Sequence, residues 1–354
     1  MSVPERTSLR EIATLFLRLG ATAFGGPAVH IAMIEDEVVA RRQWLTKERF
    51  LDLLSAANLI PGPNSTELAI HIGFERRRWA GLVVAGVCFI VPAMLITAVC
   101  GWAYVRFGSL PAAGWLLYGV KPAMMVIVLQ ALWALLPTAA RTARLRLLAG
   151  AAAIAAFAGV HELVVLFGAG LIAVLSQRRR SNAAFGAALQ PLAPLVPAVA
   201  ASATVSAVTL PSLFWVFCKT GSVLFGSGYV LLAFLRADLV ERLGWLTEAQ
   251  LIDAIAVGQI TPGPVFTTAT FVGYVLAGPS GALVATAGIF LPAFVFVALS
   301  GPLLPRLRAS EGAAAFLDGV NAASLALMAV VTLQLGRAAL IDVPTLLIAL
   351  ATAP

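Results

Sequence analysis

The chain has 354 residues, 60% of them hydrophobic and only 12% charged, with a net charge of +7 and a mean hydropathy of +0.94. Soluble domains carry about 25% charged residues, so composition argues against a water-soluble enzyme, and against a nucleic-acid partner despite the basic excess. Arginine retained in cytoplasmic loops accounts for that excess, which leaves an all-α, polytopic membrane protein in contact with the lipid bilayer.

The opening stretch MSVPERTSLREIATLFLRLG has an acidic residue among its early charges and no small-residue cleavage site, so the first helix, near 9–25, is expected to stay. Further helices are expected near 50–60, 64–74, 80–105 and 115–137, with shorter ones near 147–160 and 163–177. RRR at 76–78 and again at 178–180 reads as a topology signal. The Pro/Ala-rich stretch 181–211 reads as a linker between a first half, 1–180, and a second half, 212–354. In the second half, helices are expected near 212–225, 249–261, 265–277, 280–301 and 313–337. Several segments fall short of the ~20 residues that cross hydrocarbon; those beside PGP are the shortest, as half-spanning or re-entrant pieces would be. The tail IDVPTLLIALATAP matches the start of 147–177 and then stops. Cys88, Cys100 and Cys218 lie in apolar runs without ligand spacing and read as small hydrophobes.

The two halves repeat. Placing residue n beside n+201 aligns 16–63 with 217–264 without a gap, and fifteen of those 48 positions are identical. Chance gives about 3–4 for such a composition, so the chain is a duplication. After one deleted residue the offset becomes 200, pairing Gly73 with Gly273, Gly81 with Gly281 and Pro92–Ala93 with Pro292–Ala293. Repeated halves in a membrane protein point to a transporter with its site at the repeat interface. The loop ERRRWAG (75–81) is basic and its counterpart VLAGPSG (275–281) is not, while Arg106 faces the pair Arg306 and Arg308 in the next loop. Equivalent loops on opposite sides mean an inverted repeat.

Both halves carry PGP, at Pro61, Gly62 and Pro63 and at Pro262, Gly263 and Pro264. Proline ends a helix and glycine relaxes the backbone, so each PGP breaks one helix and opens another, with Pro63 and Pro264 expected in the first turn. The N–H groups of Asn64, Ser65 and Thr66, and those of Val265, Phe266 and Thr267, would then be free at a positive helix end, which suits an anion. A packing kink is the alternative for one PGP; the symmetric pair favours a site. Asn58 and Gln259, three residues before each PGP, could donate to a bound oxyanion.

A second paired break is FGGP (24–27), with Gly25 and Gly26, against FGSG (225–228). Just upstream lie Arg18 and Lys219, aligned by the same offset. Cations in apolar runs face interior cavities or snorkel to the interface; facing inward, the two would share a doubly charged anion. Acidic residues repeat as Glu37 with Asp238 and Asp52 with Asp253. RRQWLTKERFLD and RLGWLTEAQLID read as surface elements with Thr46 and Thr247 as helix caps, Thr247 with Gln250 forming a capping box. Structural roles are preferred for these acids, with proton coupling open for Asp52, Asp253 and His30. His30, His71, Glu67 and Lys121 occur in one half only, and local hydrogen bonds are the expected role. No metal-ligand spacing, nucleotide-binding motif or cofactor motif is present in the sequence.

FGGPAVH at 24–30, WLT at 44–46, NLIPGP at 58–63, WLT at 245–247, QITPGP at 259–264 and GALVATAGIFLPAF at 281–294 resemble the bacterial chromate transporters of the chromate ion transporter superfamily, long two-domain type. The resemblance covers most of both halves. It implies oppositely oriented, duplicated halves in the bacterial plasma (inner) membrane and export of chromate from the cytoplasm, conferring resistance, with sulfate as competitor. It places family motifs on Phe24, Gly25, Gly26, Pro27, His30, Trp44 and both PGP triplets. A sulfate or other oxyanion transporter is the nearest alternative, and an intramembrane enzyme is the alternative of another class. The expected partners are the oxyanion, lipid and, at most, a second copy of the chain.

Overall fold

The computed structural model describes residues 7–108, 110–181, 207–225, 230–308, 310–340 and 342–352, and among these every regular element is helical. Most of the expected linker at 181–211, and FGSG beyond Phe225, lie outside the described residues.

The helices start where local chemistry says they should. Helix α1 (Leu9–Thr22) opens on a capping box between Ser8 and Glu11. It is followed by α2 (Gly26–Glu35), which runs into a π-helical turn at Asp36–Arg41. Thr46 caps α3 (Lys47–Ala57), as expected. Then come α4 (Asn64–Phe107), α5 (Pro111–Ala139), α6 (Ala143–Phe157) and α7 (Glu162–Ser181). The second half repeats the plan. Thr209 caps α8 (Leu210–Val223), α9 (Leu231–Leu235) runs into a π-helical turn at Arg236–Arg242, and Thr247 with Gln250 boxes α10 (Glu248–Ile260). A 3₁₀ turn at Val265–Thr267 leads into α11 (Thr268–Arg308), followed by α12 (Glu311–Ala339) and α13 (Val343–Thr352).

Helices α2 and α9 were not among the expected elements, because FGGP and the charged run IEDEVVARR interrupt the apolar pattern that marks a helix. The PGP prolines also differ from expectation. Pro63 and Pro264 occupy the cap position with extended backbone, not the first turn. The carbonyl of Pro63 is the first acceptor, taking the N–H of Thr66 at 2.8 Å and of Glu67 at 3.0 Å.

Helix α4 is not one rod. It breaks at Arg77–Arg78, where Arg78 has φ 53°, and α11 breaks at the equivalent Ala277–Gly278, where φ is 63°. Across the break the two arms fold back, and a side chain on Gly73 would collide with the carbonyl of Gly81, and the reverse. Gly273 and Gly281 repeat this contact. Only glycine lets two backbones come so close.

The arm 64–76 therefore returns to the face from which α3 entered. Arg49 at the start of α3 makes a two-pronged ion pair with Glu75 at the end of that arm (3.1 and 2.8 Å). Arg76 reaches Thr7 Oγ1 at 2.7 Å and the Trp44 carbonyl at 3.1 Å, so α1 begins and the α2 π-turn ends at this same face. Thirteen residues span only about 20 Å against ~30 Å of hydrocarbon, so α3 and the first arm of α4 form a re-entrant hairpin with PGP at its tip.

Two bundles result, each built from both halves. One joins α1 to α4, α8 to α11 and α4 to α11. In the other, α12 packs on α5, α6 and α7, and α13 on α5. Among the described residues four helices are long and apolar enough to cross a membrane, within Asn64–Phe107, Tyr118–Ala139, Val265–Ser300 and Glu311–Arg337. Bulky apolar side chains such as Trp133 (80% exposed) and Leu147 (76% exposed) cover the outside, as a lipid-facing surface requires. The protein is a multi-pass membrane protein.

Candidate anion site at the hairpin tips

The paired breaks converge. Gly62 donates its N–H to the Leu224 carbonyl and Gly263 donates to the Ala23 carbonyl, each at 2.8 Å. Ala23 and Leu224 are the C-caps of α1 and α8, equivalent by the offset of 201. Each PGP tip therefore docks on the first broken helix of the opposite half, reciprocally, as a pseudo-two-fold axis demands. Both glycines hold positive φ (139° and 85°), a conformation that glycine adopts without strain, so the chain can turn and still present that N–H. Ala293 lies beside Gly62 and Ala93 beside Gly263, so the repeated Pro-Ala pairs also meet the tips.

The two tips carry the start of α4 and the 3₁₀ turn before α11 to this seam. Thr66 is fully buried, Ser65 and Thr267 nearly so, and Thr267 contacts Thr97 of α4 at 3.4 Å across the halves. Asn64 donates to Asn58 at 2.6 Å. Buried polar atoms without a protein hydrogen bond gather here: Asn64 Oδ1, Thr66 Oγ1, both carboxyl oxygens of Glu67, and Gln259 Nε2. A buried polar group left unsatisfied costs about 1–3 kcal/mol, and the five such atoms around the two docked tips have no hydrogen-bond partner from the protein itself. The N–H of Thr66 is already given to Pro63, which leaves those of Asn64 and Ser65 as the helix-end donors on the first side.

Gly25, at φ 107°, caps α2, and Gly26 begins it at φ 81°. His30 sits behind this break. Its Nε2 lies 3.0 Å from the Ala23 carbonyl and its Nδ1 3.3 Å from Ser65 Oγ, so it ties α2 to both tip partners. The local hydrogen bonds expected of His30 are thus present.

The paired cations are placed differently from two free charges facing one cavity. Arg18 is ion-paired with Glu37, and Lys219 with Asp238 at 2.7 Å, each within its own half. Arg41 and Arg42 also reach Glu37, and Arg242 reaches Asp238 at 2.8 Å. The π-turn acids thus collect cations from two elements and lock α1 to α2 and α8 to α9. Asp52 is exposed, 3.7 Å from Arg49. Its twin Asp253 is buried, paired with Lys121 of α5 at 2.9 Å and accepting from the Tyr104 hydroxyl at 2.8 Å. Lys121 bridges the halves, so its role is not local. The Glu67 side chain has no hydrogen bond, contrary to expectation. A lone acid in an apolar run was the only signal for it in the sequence. Among the described residues no cluster of three or more metal-ligating side chains forms.

The comparisons with known proteins agree with this architecture. The family model described as "Chromate transporter" matches residues 10–174 and 211–353, one stretch in each half. The "Chromate transport protein" of Cupriavidus metallidurans is 34% identical over 98% of this chain and 87% of its own length. The "Chromate transport protein" of Pseudomonas aeruginosa is 32% identical over 98% and 85%. The "Probable chromate transport protein" of Synechococcus elongatus is 31% identical over 97% and 88%. No solved structure matches. With a family match across both halves and relatives above 30% identity over nearly all of the chain, this protein belongs to the chromate transporter family.

Proposed function

We propose that the protein exports chromate from the cytoplasm across the bacterial plasma membrane as a gradient-driven secondary transporter, with the dianion held between the two PGP tips. The reciprocal bonds Gly62 to Leu224 and Gly263 to Ala23 carry this reading, because they bring two helix starts and the orphaned groups of Asn64, Thr66 and Gln259 to one seam between halves. Arg18 and Lys219 act at one remove, setting the angle of the broken helices through Glu37 and Asp238. The halves 1–180 and 212–354, joined by 181–211, lie inverted in the membrane, with the RRR turn at 76–78 cytoplasmic.

The two hairpins differ in a way that favours alternating access. Helix α10 is buried from Leu251 to Gly258 and covered by α5 and α12. Helix α3 packs chiefly on α4 and keeps Asp52, Ser55 and Asn58 exposed along one face. That polar strip leads from the cytoplasmic turn toward Asn64 and serves as the entry path. An intramembrane enzyme would need a clustered nucleophile or acid–base pair; the polar groups here are shared between two docked tips instead.

The test is chromate accumulation in inside-out vesicles, with sulfate as competitor and with or without a proton gradient. Saturable accumulation is expected, and Pro61→Ala or Pro262→Ala should slow it without removing protein from the membrane. Sulfate transport without chromate transport would keep the architecture and change the cargo. Flux of neither would defeat the reading.

A further inference from the structure

Glu67 lies in the first turn of α4, and both of its carboxyl oxygens are buried without a hydrogen bond or ion pair. It is wedged against the PGP tip: a side chain on Gly62 would strike Glu67 Oε1, with Cδ at 3.1 Å and the Ala293 methyl at 3.6 Å. The groups around it offer no counter-charge. On its own arm His71 lies one turn further along, and α2 brings His30, whose nitrogens face Ser65 and Ala23. From the second half come the Leu224 carbonyl, already bonded to Gly62, and Ala293 of α11. Among the described residues no cation pairs with Glu67, and its twin positions in the second half are the neutral Thr267 and Thr268.

Ionising a carboxylate in such a place without a partner is costly, and ionisable groups within a membrane mark ion or proton pathways. We propose that Glu67 is a proton-binding site and that its proton travels with the oxyanion. The sign follows from electrostatics. An ionised Glu67 is itself an anion in the first turn and competes for the positive helix end that the cargo needs. The neutral acid removes that competition and can donate to an oxygen of the guest. Proton and dianion therefore bind together, one proton per oxyanion. The proton is released with the cargo, the empty carrier returns with Glu67 ionised, and each cycle moves one net negative charge instead of two. Export is then driven by the inside-negative potential. This inference rests on the oxyanion reading of the tips.

The experiment is the reversal potential of chromate current in proteoliposomes of the full-length protein, under a tenfold chromate gradient with equal pH on both sides. A one-charge cycle reverses near 59 mV and a two-charge cycle near 30 mV. Wild type is expected at the higher value and Glu67→Gln at the lower. Chromate binding should weaken with rising pH in wild type, at most about tenfold per pH unit for one linked proton, and stay flat in Glu67→Gln. Should Glu67→Gln fail to fold, Glu67→Asp must keep the higher potential and the pH-dependent binding. A wild-type reversal near the two-charge value, pH-independent wild-type binding, or an unchanged potential in Glu67→Gln would overturn the assignment while leaving transport in place. Absence of any oxyanion current or flux in wild type would remove the transport reading and this inference with it.

Discussion

Lys121 and Asp253 supply the sharpest test of how the two bundles move. The pair closes at 2.9 Å, the Asp253 side chain is only 7% exposed, and Tyr104 donates to its second oxygen at 2.8 Å. Removing one partner of a buried pair costs about 3–5 kcal/mol, whereas replacing both is often near neutral. Lys121 is 23% exposed, so the lower figure applies. The pair joins α5 to α10 and exists only while the second bundle covers α10, so the cost falls on the covered conformation. Lys121→Met should therefore shift the population toward an uncovered α10 by about 3 kcal/mol, more than a hundredfold. The readout is labelling of Ala256→Cys by a membrane-impermeant maleimide, in a chain with Cys88, Cys100 and Cys218 replaced by alanine. Ala256 is fully buried in the covered state, so labelling reports opening, and membrane abundance measured in parallel separates opening from misfolding. Labelling should be about a hundredfold faster in Lys121→Met and return to within about threefold of the parent in Lys121→Met with Asp253→Asn. Additive effects of the two changes, or an equal effect from Asp52→Asn, would refute the reasoning.

Gly263→Ala would place a methyl 2.5 Å from the Ala93 methyl and 2.9 Å from the Gly20 carbonyl, at a residue with φ 85°; a loss of about 2–4 kcal/mol is expected from strain and overpacking, read as a lower melting temperature in detergent. Lys219→Met should destabilise by leaving Asp238 with Arg242 alone. Rescue of transport by Asp238→Asn would identify a structural pair, and failure of rescue with weakened chromate affinity would place Lys219 at the anion. Arg78→Gly should stabilise by about 1 kcal/mol, since Arg78 holds a backbone conformation that its twin Gly278 adopts freely; an unchanged or lower melting temperature would show that the Arg78 side chain contributes as much as the strain removes.

Much of the fold was legible because duplication doubles every signal. PGP, the Pro-Ala pairs and Gly73/Gly81 each occur twice at fixed offsets, and the structure brings the first two to the seam and uses the third to fold the two arms of each broken helix together. The helix caps Thr46 and Thr247 were legible for a local reason, since each bonds to a backbone group three residues away; Ser8 and Thr209, not singled out in the sequence, do the same. What escaped the sequence was partner choice. Arg18 and Lys219 read as two like charges at equivalent positions, but nothing in the spacing says that Glu37 and Asp238, nineteen residues on, reach them first. Lys121 and Asp253 are 132 residues apart and belong to opposite halves, so no local pattern links them. Glu67 escaped for the opposite reason, because its distinguishing property is the lack of a partner, and only packing reveals that.

The departures from symmetry carry as much information as the symmetry. Exchange of conformation between the halves would move the second bundle from α10 onto α3, and the residues meeting there would be the twins of the present ones. Lys121 corresponds to Asn321 and Tyr104 to Leu304, so Asp52 would be covered without a cation or a phenol. The two closures are therefore unequal, and the one present, over α10, is held by the stronger contacts. On the proposed topology this leaves the α3 strip open toward the cytoplasm at rest, where an exporter must collect its cargo. A cargo can shift such a balance only by as much as it prefers the other state. Breaking Lys121 from Asp253 then sets the scale of that preference, and the positive helix ends at the tips, with Glu67 neutral, are where a dianion would supply it.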